Sequence, residues 1–313
     1  MDKSDKINNS IILNKIRDNI NLAVKLPEEL LDHLLICLCN SGHVLFEDMP
    51  GTGKTTLAKA VANSIDVSFS RIQCVPDILP SDITGINYFN QKENEFVFRK
   101  GPVFANIILA DEINRASPRS QSALLECMEE KQVTVDNRTY ILDLPFMVMA
   151  TQNPIEIRGT FPLPEAQLDR FMMRLSLGYP DKETESEIIE MNLNRIPVKE
   201  LKPVANASDI LNIQKDLGNI ILSKPIRDYI IEIVQATRES SNIIIGASPR
   251  AGIALAKACR ARALIKNREY VIPDDVKSLV IPVLMHRLIA DSSQTAANML
   301  ENIINKIPAP VSE

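Results

Sequence analysis

The sequence predicts an α/β domain built on a five-stranded parallel sheet, followed by an all-helical domain, and three observations carry that reading. Short apolar runs alternate with helical patterns as far as Tyr179, the signature of a sheet covered on both faces. A glycine-rich loop opens a helix directly after the first run, and beyond Pro180 the apolar period is 3.6 throughout. With 313 residues, and domains of roughly 150, the chain has room for two cores. Its 45% hydrophobic and 24% charged residues are globular values.

In order along the chain, a helical segment precedes strands at 43–47, 67–73, 106–111, 146–151 and 172–177. Between the second and third strands, 86–89 and 95–99 flank the polar turn 90–94 and read as an inserted hairpin, either a decorated surface loop or a pore-facing element. Pro180-Asp181-Lys182-Glu183 marks the boundary, because proline disfavours helix before it and acids suit the positive first turn of a new one. The domains are thus 1–180 and 181–313, the second with helices at 208–222, 225–240, 248–267 and 273–290 and no strand. Its last residues, 307–313, carry two prolines and are expected to fray.

Composition narrows the function. Thirty-five Lys and Arg against 40 Asp and Glu give a charge of −5, without the positive field that non-specific duplex binding requires. Nine Phe, five Tyr and no Trp leave few rings for stacking bases. Five scattered cysteines, never spaced C-x-x-C, read as reduced thiols. The N-terminus lacks the pattern of a signal peptide and no apolar run would span a bilayer. A soluble, cytoplasmic protein without membrane insertion is expected.

The loop is Glu47-Asp48-Met49-Pro50-Gly51-Thr52-Gly53-Lys54-Thr55-Thr56, between strand 43–47 and a helical run. Gly51 and Gly53 let main-chain N–H groups curl around phosphate oxygens while the helix points its positive end at the same anion. Lys54 would reach the β and γ phosphates and Thr55 would offer its hydroxyl to Mg²⁺. The binding loop is therefore assigned to Asp48, Met49, Pro50, Gly51, Thr52, Gly53, Lys54, Thr55 and Thr56. The general pattern wants glycine at position 48, where this chain has Asp48. Strand 106–111 ends in Asp111 and Glu112. Asp111 would hold Mg²⁺ beside Thr55, and Glu112 would orient the attacking water and accept its proton. The guanine-reading pattern Asn-Lys-x-Asp fails at Arg17, after Asn14-Lys15-Ile16, so a preference for ATP is expected.

The segment DEINRASP (111–118), with QSALLE (121–126), ATQNP (150–154), GTFPLPEAQLDRF (159–171), GYP (178–180), ASPRAG (247–252) and His286-Arg287, resembles the MoxR-type AAA+ ATPases over residues 10–290. The Asp48 entry to the loop is similar to that of many such relatives. The resemblance implies sheet order 5-1-4-3-2, a hairpin inserted in the second helix, a helical lid and assembly into a ring, a hexamer. It implies that Asn153 contacts the attacking water or the γ phosphate, and that Arg170 is an arginine finger for a neighbouring subunit's nucleotide, with Arg115 and Arg174 as alternatives. It matches Arg250 to a second sensor arginine, acting within its own subunit or across the interface. It further implies a chaperone-like remodelling role on an unidentified protein client, often with a von Willebrand A domain partner, metal-centre insertion being one such task.

A DNA-associated motor or transcription activator is the competing reading. Charge weighs against it, and the basic residues Lys257, Arg260, Arg262, Lys266 and Arg268 are spread around their helix rather than along one stripe. A metal site at His33, Cys37 and Cys39 is rejected, since structural zinc wants four ligands and the neighbouring leucines mark a buried face.

Overall fold

The computed structural model describes residues 3–49, 51–154, 159–193, 197–290 and 293–310. Five strands form the central sheet: β1 (Val44–Glu47), β2 (Phe69–Gln73), β3 (Ile107–Asp111), β4 (Met147–Gln152) and β5 (Met173–Leu175). They pair in parallel in the order β2-β3-β4-β1-β5, which from the other edge is the expected 5-1-4-3-2. Each expected strand is present, with ends differing by up to two residues.

Side chains that alternate along a strand leave by opposite faces, and here both faces are covered. Val44, Phe46, Ile107, Leu109, Met147 and Met149 enter one core, shared with Leu57 and Val61 of the helix Lys54–Ser64. Leu45, Ile108, Ala110, Val148 and Ala150 enter the other, with Leu124, Leu125 and Met128 of the helix Pro118–Glu130. That is why these strands read as continuous apolar runs. The first core runs on into the lid through Ile213, Leu255 and Leu279.

His43, just ahead of β1, is buried as a two-ended bracket. Its Nδ1 accepts from the Val148 N–H at 2.9 Å and its Nε2–H faces the Met128 carbonyl at 3.0 Å. Burial pushes its imidazole down to about 4.

The inserted hairpin spans Gly85–Asn90 and Glu95–Lys100, where the sequence places it. A second hairpin, Gln132–Val135 with Arg138–Ile141, was not expected. Its two-residue turn is Asp136-Asn137, at φ 47° and 66°, the left-handed pair that a type I′ turn requires. The hairpins are joined: Asn87 donates to Asp136 at 2.8 Å, and Phe98 stacks on Tyr140 with centroids 4.2 Å apart.

The second domain is helical: Lys182–Leu193, Ala207–Asp216, Lys224–Glu239, Pro249–Ile265, Pro273–Leu284 and Ser293–Lys306 carry most of it. Two expectations are corrected. A short antiparallel pair, Ile243–Ile245 with Ile289–Ala290, breaks the all-helical pattern, because three consecutive β-branched residues favour extended chain and are too few for a helix. The helix expected to reach residue 290 stops at Leu284; Pro282 removes a backbone donor near its end, and His286 and Arg287 turn to the core. His286 Nε2 lies 2.9 Å from the Phe171 carbonyl and Arg287 Nε donates to Asp169 at 2.6 Å. The lid is thereby fastened at the entry to β5.

Candidate functional site

A cleft of about 430 Å³ opens at the carboxyl ends of β1, β3 and β4, lined by Gly51, Thr52, Gly53, Lys54 and Thr55, and by Asp111, Glu112 and Asn153 across from them. Strand ends are where open parallel sheets bind ligands. Gly51 and Gly53 both stand at φ +86°, and a Cβ on either would meet no atom within 4 Å. The main chain thus takes the left-handed conformation glycine permits and borders open space. The helix Lys54–Ser64 starts at this loop, so its positive end faces the cleft. Met49 and Thr56 do not line the cleft, although the Met49 carbonyl contacts Lys54. Pro50 lies outside the described residues.

Lys54 is nearly buried and donates to the carbonyls of Asp48 at 3.2 Å and Met49 at 2.9 Å. Burial lowers its amine from the ordinary lysine value, against the raising pull of Asp48, Asp111 and Glu112. Asp48 also lines the cleft, yet its carboxylate is engaged elsewhere. It accepts from the Ser176 hydroxyl at 2.7 Å and from the N–H groups of Leu177 and Gly178 at 2.8 and 3.0 Å. The residue that departs from the glycine pattern ties the loop's entry to the segment leading into the lid.

On the acidic side, Asp111 Oδ1 accepts from the Thr151 hydroxyl at 2.8 Å and Oδ2 from Arg71 Nη2 at 2.6 Å. Glu112 sits at φ 57°, a left-handed position that costs a non-glycine residue about 1–2 kcal/mol. Its N–H is held by Thr151 Oγ1 at 2.8 Å and its carboxylate by Arg115 at 3.1 Å, with Gln73 at 3.5 Å. Thr55 and Asp111 offer a hydroxyl and a carboxylate to the same space. Among the described residues no three His, Cys, Asp or Glu side chains gather to hold a metal. An all-oxygen pair of this kind fits Mg²⁺, which keeps waters and arrives on phosphates instead of in a protein cage.

Arg71 and Gln73 were missed in the sequence. They occupy positions i and i+2 of β2, so both project to one side over the cleft. A charged and an amide residue alternating at the end of the strand Phe69–Gln73 was the available signal.

The two arginines assigned from the resemblance lie elsewhere. Arg170 donates to the Leu125 carbonyl at 2.6 Å and pairs with Glu129 at 3.0 Å. Arg250, three-quarters exposed, approaches the other oxygen of Glu129 at 3.9 Å. Neither lines the phosphate cleft. Ser248 caps the Arg250 helix by accepting from the Ala251 N–H at 3.3 Å, with Pro249 at its first position. Of the alternatives, Arg115 pairs with Glu112, and Arg174 is nearly buried against Glu47 at 3.2 Å. The cysteines at 37 and 39 are buried, and burial raises both thiols, Cys39 to about 12.

Residues 43–173 match the ATPase family associated with various cellular activities (AAA), and residues 235–307 match the AAA lid domain. The chain is 48% identical to YeaC of Bacillus subtilis over 88% of its length and 87% of the relative's. It is 41% identical to the chaperone MoxR1 of Mycobacterium tuberculosis, over 90% of this chain and 76% of that one. A crystal structure described as a candidate ATPase from Cytophaga hutchinsonii superposes with a TM-score of 0.90 at 40% identity, covering 98% of both chains. Relatives this similar over this much of the sequence fix the family: the chain belongs to the MoxR-type AAA+ ATPases.

Proposed function

We propose that the protein hydrolyses ATP with Mg²⁺ as a homo-oligomeric ring, a hexamer, in which Arg170 and Arg250 of each subunit serve a neighbour's nucleotide, and that the ring remodels a protein client. One observation carries the reading. Lys54, Asp111, Glu112 and Asn153 share a cleft, whereas Arg170 and Arg250 meet at Glu129 outside it. A chain whose anion-binding loop and finger arginines occupy different surfaces needs a second copy to unite them.

In this reading the amides around Gly51 and Gly53 and the helix end take the phosphates. Lys54 exchanges the Asp48 and Met49 carbonyls for phosphate oxygens. Glu112, fixed by its own N–H on Thr151, orients water and takes its proton, while Asn153 hydrogen-bonds that water or the γ phosphate. Mg²⁺, held by Thr55 and Asp111, would neutralise triphosphate charge. Residues 1–180 form the nucleotide-binding domain and 181–313 the lid. Exposed apolar residues on the hairpins, including Phe89, Phe96 and Ile141, supply a surface for a client. A von Willebrand A domain partner and a task such as metal-centre insertion rest on the family resemblance.

No observation favours a DNA motor. Three of the basic residues between 257 and 268 are paired within the chain, Lys266 with Asp32 at 2.8 Å, Arg268 with Asp275, and Arg262 with Asp275 at 3.6 Å.

The test mixes two inactive variants, Arg170→Ala and Glu112→Gln. A mixed ring pairs an intact base in one subunit with an intact finger from its neighbour, so turnover should reappear. Mixtures no more active than either variant alone would refute action between subunits.

A further inference from the structure

We infer that Arg71 is a built-in counter-ion of the nucleotide site, standing on Asp111 Oδ2 and trading places with the divalent ion when metal-bound nucleotide enters. The inference deepens the ATPase reading and rests on it. Asp111 has two carboxylate oxygens. Oδ1 is taken by the Thr151 hydroxyl at 2.8 Å, which also receives the Glu112 N–H and so belongs to the frame of the site. Oδ2 is taken by Arg71 Nη2 at 2.6 Å. The oxygen left over from the frame is therefore covered by a cation of this chain.

The attachment is built to be exchanged. Asp111 is largely enclosed, but Arg71 is about half exposed, at 47% of its side-chain surface, and its second acceptor, Gln73, is exposed too. A guanidinium has five donors in a rigid fork and matches phosphate as well as carboxylate. Displaced from Asp111, it finds its next anion in the triphosphate bound in the same cleft. Lys54 leaves this role to Arg71, since its amine lies on the opposite wall, beside the Asp48 and Met49 carbonyls. Without Arg71, two adjacent acids, Asp111 and Glu112, would face an incoming polyanion with Arg115 as the remaining cation on that side.

Two consequences follow. Arg71 supports binding of metal-free ATP by screening Asp111 and then contacting phosphate. It also reduces the advantage that Mg²⁺ confers, because the ion must displace it. Removing the charge should therefore widen the gap between the two binding constants.

The experiment measures ATP binding to the full-length protein by calorimetry, once in Mg²⁺ and once in EDTA, for wild type, Arg71→Gln and Arg71→Lys. The ratio of the EDTA Kd to the Mg²⁺ Kd should rise about tenfold in Arg71→Gln, the scale of one charge-assisted hydrogen bond. It should stay nearer the wild-type ratio in Arg71→Lys, which keeps the charge and shows that the site folds. An unchanged ratio in Arg71→Gln, or equal weakening in both buffers, would overturn the exchange. Wild-type protein that takes up ATP in neither buffer would overturn the ATPase reading and this inference together.

Discussion

The phosphate cleft and the corner around Glu129 are opposites in what they offer. The cleft gathers a lysine, a glycine-bearing loop and two acids at the carboxyl ends of the sheet, with Asp111 and the Glu112 N–H both anchored on the Thr151 hydroxyl. The corner has two arginines, one from the core and one from the lid, sharing a single carboxylate. The first joins an anion-binding loop to two acids; the second holds two cations against one acid. In the proposed reading the chemistry needs both, and because they lie apart on one chain its rate would depend on assembly as well as on folding.

The sharpest way to break that contrast is Arg170→Ala. If the arginine serves a neighbour, turnover should fall by about 10³–10⁵ while ATP binding measured by calorimetry is unchanged. Loss of binding instead would return Arg170 to its own subunit's site. Glu112→Gln tests the other region: turnover should fall by about 10²–10⁴ with binding retained, and steady-state hydrolysis at the wild-type rate would remove Glu112 as the base.

The scaffold joining the two regions can be probed with acid. His43 connects the root of β1 to Met128, next to Glu129. Its folded value near 4 lies below the ordinary 6.5, and burial also lowers His286 well below that value. The unfolded chain therefore binds more protons in between, and stability is full above about pH 7 and declines as pH drops from about 6.5 toward 4. His43 alone accounts for about 3 kcal/mol, read by urea unfolding at several pH values; His43→Gln should flatten the profile. The smallest effect is expected from Asp48→Ala, which strands the donors of Ser176, Leu177 and Gly178 at a cost of about 1–3 kcal/mol. Hydrogen exchange at 176–178 should rise, and unchanged protection there would show that the loop does not hold this segment.

How much of this was legible depended on whether the signal was local. The sheet, its strand ends and the phosphate loop could be read because alternation of apolar runs and helices, and glycine spacing, lie within a few residues. The second hairpin was lost because Gln132–Ile141 is short and polar on one face, its turn marked by Asp136-Asn137 without a glycine. Arg71 carries little local signal beyond its alternation with Gln73, since its partner Asp111 lies 40 positions away on the neighbouring strand. The meeting of Arg170 with Arg250 on Glu129 was beyond reach, since the three come from separate elements that only tertiary packing unites. Asp48 stood out as irregular in the sequence, but its partners are 128 to 130 positions away.

That last attachment has a mechanical meaning. With Gly178 clamped beneath the nucleotide-binding loop and the next helix beginning at Lys182, the slack between the two bodies shrinks to residues 179–181, about 10 Å when fully drawn out. A shift of the loop would therefore be passed to this leash at its root.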